Sequence, residues 1–430
     1  MKTEAARVLV IGSGIAGTAA AWSAARAGAK VTLVSAGAGA SMLASGAVDD
    51  IPWEDVLRAS RISRTDPRAR PLSRDVLDFV EALGAWRVVD DGEPLSLLAT
   101  CAGVVRRARG HDRSVLDLST LRPGLVVVPR ADRAGWDADA LSDGYGADST
   151  ARRRGLVFTS LQVPLVRYEG EHRLSDLDLA ARHDDPVRIA WLATRLREAI
   201  GRTAHKPVGV LLGPWLGLSE PRAAELTAAM GIPCGEAISG SGSPAGMRFA
   251  NARDRLFASI GVDVVTARVE RLRLDADDEG RPSVDVEGEE EPRSFDRVVL
   301  ACGGLAGGGL VYDPLDTHAG ADMPEKYGPS FRLSFEVTAA LEDEVPYLAA
   351  GGARIGVVGS MFGPDLDASG WPSPGRAGRL EMVGVACDAE GVCGPRAAVA
   401  GDAMADRPRT ALAAVESGAR AGSWAARAAG

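Results

Sequence analysis

Residues 7–34 open with Arg7-Val8-Leu9-Val10-Ile11-Gly12-Ser13-Gly14-Ile15-Ala16-Gly17. An alanine-rich stretch from Thr18 to Ala27 follows, then Gly28 and Lys30-Val31-Thr32-Leu33-Val34. The first apolar run is of strand type, the alanine-rich stretch is helical, and Gly28 is a left-handed helix stop before a second strand. A Gly-x-Gly-x-x-Gly turn between a strand and a helix specifies a dinucleotide site. Gly12 makes the tight turn, Gly14 lets backbone N–H groups approach a pyrophosphate, and Gly17 lets helix and strand pack closely. The N–H groups at Ser13, Gly14, Ile15 and Ala16 then face the phosphates with the positive end of the helix behind them. A turn with purely structural glycines is the competing reading, and the flanking strands argue against it.

One position departs from this pattern. The end of the second strand usually carries a carboxylate for the adenosine ribose; here it is Ser35, followed by Ala36-Gly37-Ala38-Gly39. A serine can bond a hydroxyl without the charge assistance that roughly doubles such a bond. No arginine follows to receive a 2′-phosphate, so NADP is not expected. Either the nucleotide half is held loosely or the cofactor is shorter.

The 430 residues suffice for two domains, or for one domain with a large insertion. A net charge of −9 argues against nucleic acid as a partner. Arg152-Arg153-Arg154 reads as solvated surface. No long uninterrupted apolar run predicts a membrane span, and no signal-peptide pattern precedes the first strand, so a cytoplasmic location is expected. The five cysteines, Cys101, Cys234, Cys302, Cys387 and Cys393, show neither Cys-x-x-Cys nor metal-ligand spacing. No metal site is expected, and Cys387 and Cys393 read as small buried thiols flanking a hairpin turn.

The order of elements predicts an α/β fold: a Rossmann-like domain with an inserted α/β cap. Its pieces are 1–50, 240–317 and 379–430, with the cap at 51–239 and 318–378. The nucleotide-binding pieces include a helix from Met247 to Ser259, a strand from Val262 to Val269, the strand Asp296 to Ala301 ending in Cys302-Gly303-Gly304, the strand before Gly401-Asp402, and a terminal helix from Thr410. Glu270 to Asp296 reads as a hairpin meander. Cap strands are predicted at Leu125–Val128, Gly155–Thr159 and Pro207–Leu212, with helices from about Asp137, from Pro186 to Ile200 and from Glu220 to Met230.

This ordered set, with Gly401-Asp402 preceding the last helix, resembles the flavoprotein oxidoreductases of the two-dinucleotide-fold superfamily. Within it the chain is most similar to one flavoprotein subunit of the anaerobic glycerol-3-phosphate dehydrogenase. The similarity is carried by Ser41 to Ala47, Gly235 to Ser239 through Ser243 to Arg248, and Cys302 to Leu310. It departs at Ser239 to Ser243, where the family has prolines, and at Ala403 to Arg409, where the family has a glycine-rich loop. The resemblance implies a flavin held by the Gly12–Gly17 turn, Ser35, Ser45, Gly46, the backbone at Val265, Cys302, Gly303, Gly304, Gly401, Asp402 and Thr410. Of the two flavins, the pyrophosphate turn favours FAD, with FMN as the alternative. It further implies oxidation of glycerol 3-phosphate, a small-molecule substrate, with electrons passed to a quinone through a second flavoprotein subunit and an iron–sulfur subunit. Those partners would bring any membrane association. A stand-alone FAD enzyme on another small substrate, or a flavin electron-relay subunit, are the alternatives.

Oxidising a phosphorylated alcohol requires cations for the phosphate and a base for the hydroxyl proton. Arg248, Arg332, Arg354, Arg376 and Arg409 are the candidate cations, and His318 is the candidate base. No catalytic triad or carboxylate pair is legible by spacing.

Overall fold

The structure is a computed structural model. It describes residues 5–51, 68–131, 133, 135–240, 242–274, 280–304, 307, 309, 311–314, 330–334, 340–341, 356–358, 384–385, 387–404, 407 and 409–427. The chain forms two compact units, 1–40 with 256–430, and 41–255. The sequence predicts junctions at 50/51 and 239/240; the compact units meet at 40/41 and at 255/256, the latter inside the helix Pro244–Ile260. Most of the expected second cap piece, 318–378, lies outside the described residues.

The first unit is built on a six-stranded sheet in the order 263–265, 30–34, 7–11, 297–300, 397–399, 392–394. The first five strands are parallel, and only Val392–Gly394 runs antiparallel. Numbered along the chain, the parallel strands lie 3-2-1-4-5, the doubly wound arrangement whose switch point falls beside the first strand. Arg7–Ile11, Lys30–Val34 and Arg297–Leu300 are runs of Val, Leu and Ile with almost no alternation, as strands covered on both faces require.

Helix Ile15–Arg26 is alanine-rich because of what it meets. A Cβ on Gly17 would lie 1.8 Å from the Gly12 carbonyl oxygen. The terminal helix Ala411–Ala426 approaches from the other side. There a Cβ on Gly418 would lie 2.2 Å from the Ala16 carbonyl oxygen, and one on Gly422 2.2 Å from that of Ala20. Only glycines at i and i+4 of one helix, facing alanines at i and i+4 of the other, let two backbones come this close.

Two expectations for this unit meet the structure differently. Val262 to Val269 is not one strand: Asp263–Val265 forms the parallel sheet edge, and Val269–Arg273 enters an antiparallel sheet with Ser283–Val286 and Arg293–Ser294. The hairpin at 388–392 does form, with the Asp388 N–H donating to the Val392 carbonyl at 3.0 Å.

The second unit holds a four-stranded parallel sheet in the order 234–236, 209–212, 124–130, 156–162. Its helices start where the caps say they should. Asp137 accepts from the N–H groups of Asp139 and Ala140, and Asp185 accepts from Val187 ahead of a helix whose first residue is Pro186. The strand 47–48 and the elements between 68 and 117 are absent from the sequence-based expectations. They are the helix Arg74–Leu83, the hairpin Ser96–Ala99 with Val105–Ala108, and the small sheet of 47–48, 110–112 and 86–88. Strands of two to four residues are too short to show a period. This region also buries Arg107 and Arg109, whose guanidinium groups donate to the Leu95 carbonyl (3.0 Å) and to the Arg70 carbonyl and Asp91 (2.6 and 2.8 Å).

Gly418→Ala is expected to cost about 1–3 kcal/mol through overpacking, read as a lower urea midpoint. Glu416→Ala, on the exposed face of the same helix, should stay within about 0.5 kcal/mol of wild type.

Candidate functional site

The carboxyl ends of the five parallel strands form one edge of the first unit. The chain brings to this edge Gly12–Gly17 after the first strand, Ser35 after the second, Val265 at the end of the third, Cys302–Gly304 after the fourth and Gly401–Asp402 after the fifth. These residues lie up to 390 positions apart in the chain, from Gly12 to Asp402.

Three features fit a dinucleotide with a pyrophosphate. Gly12 adopts φ +106°, and a Cβ there would lie 2.3 Å from the Ala301 carbonyl oxygen. Gly14 is the N-cap of helix Ile15–Arg26 and supplies no side-chain cap. Thr18 is the first residue whose N–H returns to this helix turn, bonding the Gly14 carbonyl at 2.9 Å. Donors of the first turn are therefore directed outward along the helix axis. The first turn also carries no acidic residue that would repel a phosphate.

Ser35 is tied into this turn. Its hydroxyl donates to the Gly37 carbonyl at 3.1 Å and lies 2.8 Å from the Ser13 hydroxyl, which then serves as donor to it. Its backbone N–H donates to the Val265 carbonyl at 3.0 Å. The ribose position thus presents a neutral serine pair joined to the phosphate turn.

On the far side of the switch point, Gly401 has φ +68°, and a Cβ on it would lie 2.6 Å from the Ala16 Cβ. Its N–H donates to the Ser417 hydroxyl at 3.0 Å. Asp402 follows, with no hydrogen bond to its carboxylate among the described residues. Burial raises its pKa above the ordinary carboxylate value, partly opposed by the Arg409 charge. A half-buried carboxylate without donors suits the hydroxyls of a flavin side chain. The glycines at 303–309 have a local reason to be there. A Cβ on Gly304 would lie 2.9 Å from Asp402, and one on Gly309 2.0 Å from the Gly303 carbonyl oxygen. Thr410 caps the last helix, its hydroxyl accepting from the Ala413 N–H at 3.3 Å.

Ser45 and Gly46 belong to the second unit. There the Ser45 carbonyl accepts from the Ser239 N–H (3.1 Å) and the Gly46 carbonyl from the Asp112 N–H (2.8 Å). His318, Arg354 and Arg376 lie outside the described residues, and Arg332 is described only as part of the strand Ser330–Ser334.

Arg248 is corrected. It does not present a cation to a substrate phosphate; it is 1% exposed in the second unit, between two carboxylates. Its Nη2 donates to Asp112 at 2.9 Å and to Glu236 at 2.7 Å, and its Nη1 to the Gly217 carbonyl at 2.5 Å. Two acids around one guanidinium leave a surplus negative charge in the interior. Burial, reinforced by Asp112, pushes Glu236 up to about 7 in spite of Arg248. Glu236 and Arg248 both belong to the segment 235–248, 12 residues apart, and the pairing is visible only after the chain turns back. His183 is also buried, and burial pushes its imidazole down to about 4. Among the described residues no cluster of metal ligands occurs, and no helix is long and apolar enough to cross a membrane.

A family model described as an FAD binding domain matches residues 7–52. The fold and this segment define a Rossmann-like FAD-binding flavoprotein, and FAD is its cofactor. No curated protein matches the sequence. Solved structures similar to the chain include FqzB, at 9% identity over 72% of this chain and 42% of that one, with a TM-score of 0.24. Another is iminodiacetate oxidase (IdaA) from Chelativorans sp. BNC1, at 16% identity over 70% and 56%, TM-score 0.24. A third is glycine oxidase from Geobacillus kaustophilus, at 14% over 70% and 56%, TM-score 0.23. The chain thus spans 42–56% of the length of these structures.

Gly14→Val places a branched side chain at the phosphate turn, so a folded variant should retain almost no flavin. Asp402→Ala should weaken FAD retention on the order of tenfold, since a hydrogen bond to a charged group contributes about 1.5–3 kcal/mol. Equilibrium dialysis measures both.

Glu236 supplies a pH test. Its folded-state pKa of about 7 lies above its ordinary 4.5. Its contribution to stability is therefore fully present below 4.5 and lost as pH rises through 7. Relative to Glu236→Gln, the wild-type Tm should fall across that interval, and a constant difference would remove Glu236 as the titrating group.

Proposed function

We propose that the protein is a flavin-dependent oxidoreductase subunit that takes part in oxidising glycerol 3-phosphate to dihydroxyacetone phosphate. Electrons would pass towards a quinone through a second flavoprotein subunit and an iron–sulfur subunit. The observation that carries the redox reading is the convergence of the uncapped Gly14 helix terminus and the Asp402 carboxylate on one sheet edge. The narrower reading rests on the resemblance of segments 41–47, 235–248 and 302–310 to the glycerol-3-phosphate dehydrogenase subunit.

Bound FAD supplies a hydride acceptor, a chemistry that no side chain offers. The chain's own residues bind and orient it. Backbone donors from Gly14 to Gly17 would hold the pyrophosphate, the Ser13–Ser35 pair would meet the ribose, and the Val265 backbone would lie at the adenine end. Asp402, in its ionised form, would accept from the ribityl hydroxyls. Arg409 favours that form by its charge.

A second reading, a stand-alone FAD enzyme on another small substrate, is favoured by two observations. Ser239–Ser243 lacks the family's prolines, and Arg248 is committed to Asp112 and Glu236 and so leaves the set of phosphate cations.

Anaerobic titration of the yellow protein with glycerol 3-phosphate separates the readings. Bleaching of the oxidised flavin by glycerol 3-phosphate is expected with partner subunits present if the first reading holds, whereas a stand-alone enzyme of the second reading bleaches in isolation with a different small substrate and not with glycerol 3-phosphate. No bleaching with partners present would remove this substrate. Ser35→Glu should tighten FAD by roughly tenfold by restoring one charge-assisted bond to the ribose.

A further inference from the structure

The parallel sheet of the second unit has a switch point of its own. Numbered along the chain, its strands lie 4-3-1-2, so the order reverses between 124–130 and 209–212. Crevices outside the carboxyl ends of strands at such a reversal are where open α/β sheets bind ligands. Next to this reversal, over the carboxyl ends of strands 124–130 and 156–162, lies a solvent-open cavity of about 1080 Å³, lined by the strand ends Arg130 and Gln162, by the turn Cys101–Gly103, by His172 and by the start of the helix Ala138–Ala147.

Its base is rigid. Trp136, which follows the first strand of the reversal, donates its indole N–H to the Pro129 carbonyl at 2.8 Å. It meets Trp215, which follows the strand across the reversal, edge-on at 5.3 Å between ring centroids. Arg133 lies over the Trp215 ring at 5.3 Å and donates to Asp176 at 2.9 Å, and Trp215 donates to the same carboxylate at 2.8 Å.

The charges of the site are matched in pairs. Arg130 donates to Asp139 at 2.6 Å, both side chains being about half exposed, and Arg133 is paired with Asp176. The helix terminus is capped by Asp137. Both arginines among the described lining residues are thus committed to carboxylates, and the helix end is closed to a phosphate or carboxylate. What faces the opening is a carboxylate beside a guanidinium, with the Gln162 amide on the neighbouring strand in register with Arg130. Acceptors and donors held side by side match vicinal hydroxyls, each of which donates and accepts.

We propose that this crevice binds an uncharged, hydroxyl-rich small molecule of the polyol or sugar class. The site lies wholly within residues 101–172 and does not depend on the flavin.

The test is ligand-observed NMR on the full-length flavin-loaded protein, with glycerol, sorbitol and glucose as probes and glycerol 3-phosphate as the charged comparison. Saturable binding of a neutral probe is expected, weakened about tenfold or more by Asp139→Ala or Gln162→Ala, with flavin content unchanged. Circular dichroism of each variant confirms that it is folded, and Asp139→Asn, which keeps the shape and removes the charge, should give an intermediate loss. The proposal fails if no neutral probe binds saturably, or if binding is unaffected by both substitutions. It also fails if glycerol 3-phosphate binds in preference and Arg130→Ala abolishes that binding, which would assign the crevice to anions.

Discussion

The close approach of three backbones around helix Ile15–Arg26 is the constraint on which the first unit depends. Gly17 lets the helix rest on the Gly12 turn, and Gly418 and Gly422 let the terminal helix rest on Ala16 and Ala20, with no room for a Cβ at any of the three glycines. With the helix held on both sides, its N-terminus cannot tilt away from the strand ends. The N–H donors of the helix's first turn are therefore positioned by packing alone. Preorganised donors cost no reorganisation on binding. Gly401 extends the same contact, since its open φ and its closeness to Ala16 place Asp402 beside the turn.

Electrostatics divide the two units by purpose. At the first-unit edge, polar groups are left underused. The helix terminus has no side-chain cap, and Asp402 has no donor among the described residues. Both are groups a ligand can complete. In the interior of the second unit the opposite holds: Arg248 is fully occupied by Asp112, Glu236 and the Gly217 carbonyl. Buried ion networks of this kind contribute little net stability, but breaking one partner is costly because it strands the others. Arg248 thus ties the helix Pro244–Ile260 to the strands Gly110–Asp112 and Cys234–Glu236. A surplus carboxylate makes that tie sensitive to pH near neutrality.

The glycine-rich run at 303–309 shows how one pattern serves two ends. Read along the chain, five glycines in seven residues suggest backbone approaching a ligand. In space, several are required because the segment folds back on its own carbonyls and on Asp402. Both needs favour glycine for the same reason, the absence of a Cβ, so composition alone could not separate them.

The amino-terminal turn, the second strand, the capped helices at Asp137 and Asp185 and the terminal helix after Thr410 were legible from residues alone. Their signals are local: a glycine, a cap or an apolar run decides each within a few positions. The cofactor was legible to the same extent, because the Gly12–Gly17 motif lies within residues 7–52, which match an FAD binding domain. The break at 266–268, the short strands between 86 and 112 and the commitment of Arg248 were not, since each is decided by a partner distant in the chain. Arg248 meets Asp112 across 136 residues, and Arg130 comes beside Gln162 only when two strands align in register. Local sequence therefore determined that the chain holds a dinucleotide. Only the tertiary structure decided which charged side chains are paired with one another in the interior, because charge pairing depends on distances that folding sets.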